Sequence, residues 1–171
     1  MPHKNLAVEL LQRLIKDEVK SKFRTNVVKQ RKFSDLLQTS LGKYANRAIE
    51  AAQVIEELIA MAKQFQEDLA RRESHNMSDE EEAFYDALAK NESAQEVMGE
   101  KVLVEMAREI AAKLRDNLTV DWAVRDSVRA KLRIMIRTLL RRYKYPPDQA
   151  KDAVEMVLRQ AEVVSEFEMA A

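Results

Sequence analysis

Arginine is the residue whose type and spacing come nearest to chemistry in this chain. Arg125, Arg129, Arg133, Arg137 and Arg141 recur at every fourth position, with Lys131, Arg142 and Lys144 beside them. The planar guanidinium forks onto phosphate and carboxylate alike. The row can therefore grip a DNA backbone or an acidic protein surface. On a helix of ~3.6 residues per turn, steps of four drift by about 40° each, so the row winds around the axis and forms no flat blade. The protein contact is slightly favoured, because acidic stretches such as residues 73–105 occur in the same chain.

The remaining candidates are weaker. A metal site needs several His, Cys or carboxylate ligands converging. The chain has no cysteine, and its two histidines are His3, near the terminus, and His75, in a polar stretch. Neither a metal centre nor a Ser–His–Asp constellation can be assembled from them. Phosphate cradles need glycines that let backbone N–H groups approach the anion, and Gly42 and Gly99 stand alone. Glu18-Val19-Lys20 matches the Glu-x-Lys half of a metal-dependent nuclease motif. That chemistry needs both side chains on one face of a strand. Here the pattern is helical, and residues two apart point about 200° apart, so a chance match is the better reading. Asp79-Glu80-Glu81-Glu82 could hold a divalent cation, but a first-turn acid cluster favoured by the helix dipole is far more common. Trp122 reads as a buried anchor, with stacking on a base as the alternative. No catalytic, cofactor-binding or metal-ligating residue is assigned, and the five arginines are the candidate partner- or DNA-binding residues.

The elements that must carry this row are helices. Among 171 residues there are 2 glycines and 3 prolines, and strong helix formers dominate. The expected fold is all-α, a bundle of about six to seven helices. Leu6, Leu10, Leu11, Leu14 and Ile15 define a first amphipathic helix over about 5–23, with Asn5 as its cap. Residues 27–72 hold one long stripe from Phe33 to Leu69. As a single helix it would be about 68 Å long at ~1.5 Å per residue, so an arm or a break is expected, with Gly42 and Asn46 as the break points. Residues 73–78 read as a linker. Ser78 with Glu81 forms a capping box that starts a helix at about 79–89, followed by short and longer helices at about 92–98 and 100–116. Asn117–Asp121 reads as a turn. The basic helix spans about 122–143, with Val124, Val128, Leu132, Met135, Ile136, Leu139 and Tyr143 inward. Pro146-Pro147 ends it, and a last helix covers about 148–167. The expected domains are an N-terminal long-helix part, 1–72, and a C-terminal bundle, 79–171, unless both pack as one.

Charge is segregated although the formal net charge is zero. Residues 1–50 carry 11 basic against 5 acidic side chains, and residues 122–144 carry 8 against 1. Residues 73–105 carry 2 against 10, and residues 148–171 carry 2 against 6. Such blocks either pair within the fold or meet partners. No basic-then-apolar leader opens the chain, and no apolar run approaches the ~20 residues that span a bilayer. A soluble, cytoplasmic protein with no membrane partner is expected.

Four stretches are familiar in their order and spacing. The first is Arg31-Lys32-Phe33-Ser34 with Leu36-Leu37. The second is Asn46-Arg47-Ala48-Ile49 running to Val54-Ile55-Glu56-Glu57-Leu58-Ile59. The third is Phe84-Tyr85-Asp86-Ala87-Leu88-Ala89 with Asn91-Glu92-Ser93-Ala94. The fourth runs from Val120-Asp121-Trp122 through Ser127-Val128-Arg129-Ala130-Lys131-Leu132-Arg133 to Tyr145-Pro146-Pro147-Asp148. Together, over about residues 4–160, the chain resembles the C-terminal helical region of the R subunit of type I restriction–modification enzymes. The resemblance implies a parent that is an ATP-dependent site-specific deoxyribonuclease and DNA translocase, using ATP and Mg. It implies the methyltransferase and specificity subunits as partners, with DNA in the assembled complex. The nuclease and ATPase motifs of that subunit are absent here, so the chain looks like an excised C-terminal fragment. No catalysis and no cofactor are expected of it, and no catalytic residue carries over. One departure is Lys144, where the family pattern has a glycine between the tyrosines, and it puts the local turn geometry in question.

Overall fold

The computed structural model describes the backbone of residues 2–117 and 126–170, and the side chains of 6–116, 126–127 and 129–165. Among the described residues the fold is all-α, with eight helices and no strand. Trp122, Val124, Arg125, the Val128 side chain and most of the turn expected at 117–121 lie outside the described residues. The chain divides into two compact units, one of residues 1–24 and 29–76, the other of residues 25–28 and 77–171.

The first unit holds α1 (Pro2–Lys22), most of α2 (Val27–Ala45) and α3 (Ala51–Ser74). The stripe expected over 27–72 is therefore two helices. The break falls at Asn46, while Gly42 stays inside α2. Arg47 adopts a left-handed backbone (φ 57°). Its N–H donates to the Tyr44 carbonyl at 3.1 Å, and the Ala48 N–H donates to Lys43 at 2.8 Å. This paired pattern satisfies the last free carbonyls of the helix and stops it.

Three rings centre this core. Phe23 stacks on Phe33 with centroids 6.1 Å apart, and Phe65 meets both edge-on at 5.2 and 5.6 Å. Beside them lies a buried charge cluster. Asp68 accepts from Lys29 at 2.9 Å and Lys32 at 3.0 Å. Burial alone would raise the Asp68 pKa, but the hydrogen bonds and charges of the two lysines outweigh it and hold the carboxyl below its ordinary range.

The face of α1 that turns inward differs from the expected one. Val8, Ile15 and Val19 are buried, and Leu11 is partly so. Leu6, Leu10 and Leu14 remain 53%, 55% and 59% exposed. At about 100° per residue these three leucines lie opposite Val8, Ile15 and Val19. The helix is apolar on two sides, and only one of them faces α3.

The second unit comprises Thr25–Val28 with α4 (Asp79–Ala89), α5 (Glu92–Met98), α6 (Glu100–Asn117), α7 (Asp126–Arg142) and α8 (Ala150–Ala170). Ser78 and Glu81 close the capping box expected for α4. Residues 82–89 of α4 are all buried, because the helix lies between α6 and α8. The segment before α2 is tied in by side chains. Asn26 donates to Asp86 at 2.8 Å, the Val27 N–H donates to the Gln160 side chain at 2.9 Å, and the Gln160 amide donates to the Thr25 carbonyl.

The structure shows the turn geometry at Lys144. This residue sits in the left-handed region (φ 60°) where glycine is favoured. Its N–H donates to Arg141 and that of Tyr145 to Leu140, the same helix stop used at Arg47. The turn is then pinned by Tyr145, whose hydroxyl donates to the Leu88 carbonyl at 2.7 Å and accepts from Asn91 at 3.0 Å. Burial pushes the phenol pKa up. The tyrosine of the Tyr145-Pro146-Pro147-Asp148 stretch is thus a structural anchor. α8 begins two residues later than expected, at Ala150.

Candidate functional site

The basic helix α7 packs through Leu132, Ile136, Leu139 and Leu140 onto α8, where Val157, Leu158 and Ala161 are buried. This placement fixes which cations face protein and which face solvent. Arg129 pairs with Glu162 at 2.6 Å, and Arg133 pairs with Glu155 at 3.0 Å. Arg142 pairs with Glu109 of α6, which also accepts from the Tyr143 hydroxyl at 2.5 Å. The Arg142 guanidinium, followed by the Tyr143 hydrogen bond, holds the Glu109 carboxyl below its ordinary range. The same bond to Glu109 pushes the Tyr143 phenol up.

Of the two acidic blocks, 148–171 supplies the partners on α8, and α6 supplies Glu109. Among the described residues no ion pair joins an arginine of α7 to the block at 73–105. Two acids of the 73–105 block are engaged elsewhere, Glu81 with Arg108 at 3.1 Å and Glu80 with Arg115 at 3.3 Å. Glu80 and Glu81, two of the four first-turn acids of α4, thus have cationic neighbours on α6. Among the described residues no group of three or more His, Asp or Glu converges to hold a metal ion. Glu18 and Lys20 lie on helix α1, where strand geometry is absent.

Of the five arginines in the row, Arg125 lies outside the described residues. Arg129 and Arg133 are tied to α8, which leaves Arg137 and Arg141 exposed and without an ion pair among the described residues. They share a solvent face with Ala130, Lys131, Ile134 and Thr138, all exposed. The 40° drift of a four-residue step is the reason. It carries the row from the α8 side at Arg129 onto the open side at Arg141. Ile134, 63% exposed, sits in the middle of these cations. Ile134 is outside the inward set expected for this helix, but it was not placed among the binding residues, because the candidate row was read from charge alone. The signal was available in its 100° steps, since residue 134 falls on the side of 127, 130, 137 and 141 and away from 132, 136 and 139.

The arrangement can bind a surface that offers anionic groups around an apolar spot. No helix among the described residues is long and apolar enough to cross a membrane.

The family model described as type I restriction enzyme HindI endonuclease subunit-like, C-terminal, matches residues 1–166. The chain is 40% identical over 165 residues to the type I restriction enzyme HindI endonuclease subunit of Haemophilus influenzae, covering 96% of this chain and 16% of that protein. It is 25% identical over 139 residues to a Methanocaldococcus jannaschii chain assigned as the MjaIXP type I restriction enzyme endonuclease subunit, covering 81% of this chain and 13% of the relative. No solved structure matches. The chain thus spans less than a fifth of either relative. On the match over nearly its whole length, it belongs to the family of C-terminal regions of HindI-like type I restriction enzyme endonuclease subunits.

Proposed function

We propose that this chain is the assembly module of a cytoplasmic type I restriction enzyme. It docks an ATP-dependent DNA translocase and endonuclease onto the methyltransferase–specificity core, which leads to cleavage of unmodified foreign DNA. ATP and Mg serve the parent subunit and not this region. The observation that carries the reading is the open face of α7. Among the described residues Arg137 and Arg141 are exposed and make no ion pair, beside Lys131 and Ile134, although other arginines of the same helix have found acids. Cations left over after internal pairing are the ones available to a partner. Ile134 favours protein, because an apolar side chain on a binding face gains from burial against another apolar group.

The second reading is contact with the DNA backbone, for which the same cations are suited. Gel filtration with purified methyltransferase–specificity core, with DNA added or withheld, separates the two. Docking predicts co-elution without DNA. A backbone contact predicts co-elution only with DNA, and an affinity falling with salt at a log–log slope near −0.9 per phosphate. Co-elution that requires DNA and is lost at moderate salt would overturn the assembly reading.

A further inference from the structure

We propose that the groove between α1 and α2, in the first unit, is a second docking site, and that it takes an acidic amphipathic helix of a protein partner. The groove has a volume of about 370 Å³. Its floor is Ile15 and Val19 of α1 with Phe33 and Leu37 of α2, all buried. Its rim carries Lys16 and Lys20 on one side and Gln30 and Ser34 on the other. Both lysines are exposed, and neither makes an ion pair with a carboxylate among the described residues.

The groove is held in shape from below and at one end. The Phe23–Phe33–Phe65 cluster supports the floor. The Gln30 amide donates to the Phe23 and Arg24 carbonyls, both at 2.7 Å, and so fixes the start of α2 against the end of α1. A preformed site loses less conformational freedom on binding.

Its chemistry selects the occupant. An apolar floor takes Leu, Ile or Phe side chains presented at i, i+3 and i+4 from one face of a helix. Lys16 and Lys20 stand one turn apart, ~6 Å along the axis, which matches carboxylates one turn apart on the flank of that helix. No acidic residue lines the rim to repel them. A nucleic-acid backbone would satisfy the lysines but would make no apolar contact with the groove. A neutral apolar helix would cover the floor and leave the lysines unused. The site lies on a different unit from the α7 face and does not depend on that face's role.

The test is fluorescence anisotropy of the full chain with a labelled amphipathic peptide that carries a leucine stripe flanked by glutamates. Saturable binding is expected. It should weaken at least about tenfold, or ~1.4 kcal/mol, in Lys16→Glu/Lys20→Glu, and also in Ser34→Trp, which fills the groove from its rim. The melting curves should stay unchanged, since all three side chains are exposed. Lys16→Gln with Lys20→Gln alters no shape and serves where the tryptophan disturbs packing. The same peptide with lysines for glutamates should not bind. Absence of saturable binding overturns the proposal. So does equal binding of the lysine-bearing peptide, or binding that none of these substitutions changes.

Discussion

Lys144 and Arg47 both hold a left-handed backbone conformation at a helix stop, which costs a residue with a Cβ roughly 1–2 kcal/mol. Part of that cost is offset, because glycine has more freedom to lose on folding. Lys144→Gly should therefore raise stability by about 0.5–1 kcal/mol, read as a higher denaturation midpoint at unchanged slope. An unchanged or lower midpoint would mean that the Lys144 side chain contributes a contact of its own. Asp68 supports a prediction of the opposite sign. Its folded pKa lies below its unfolded value, so its contribution is fully present above the unfolded carboxylate pKa of ~3.9 and is lost as pH falls through the folded value. Stability should decline on acidification below about pH 4. Asp68→Asn should cost roughly 3 kcal/mol at neutral pH, because the buried Lys29 then loses the Asp68 carboxylate. It should also flatten that acid-side decline. A loss under ~0.5 kcal/mol would show that water replaces the carboxylate around Lys29.

At the scale of single helices, periodicity reveals an amphipathic helix but does not choose between two apolar sides. α1 carries Val8, Ile15 and Val19 on one side and Leu6, Leu10 and Leu14 on the other, so its buried face was settled only by packing on α3. α7 shows the complementary case. Leu132, Ile136 and Leu139 were legible as inward, and they are buried. The arginine row was legible as a winding stripe, but the identity of its acids was not. Glu155 and Glu162 reach Arg133 and Arg129 only through the pairing of α7 with α8, and no local pattern encodes that register. A helix start was legible where the chemistry is local, as with the Ser78–Glu81 box, whereas of the two expected break points only Asn46 lies at the break and Gly42 stays inside α2. These differences give a paired measurement. Leu132→Ala should cost ~2–5 kcal/mol in thermal or chemical denaturation. Leu10→Glu should shift stability by less than about 0.5 kcal/mol. A large loss from Leu10→Glu would mean that the outward leucines of α1 are covered in the folded chain.

At the scale of the molecule, the all-α class followed from a chain almost without glycine and proline, and each of the two units builds its own apolar core. Internal pairing absorbs part of the segregated charge and leaves the outer face of α7 cationic. A core that docks on this face would meet those cations, which make no ion pair among the described residues, and the double variant Arg137→Glu/Arg141→Glu removes them. Its affinity for purified methyltransferase–specificity core, measured by titration calorimetry in the absence of DNA, should fall at least about tenfold, while the melting temperature stays within a degree or so of the parent chain, as expected for exposed charges. Equal affinity of the variant and the parent chain for the core would contradict the account.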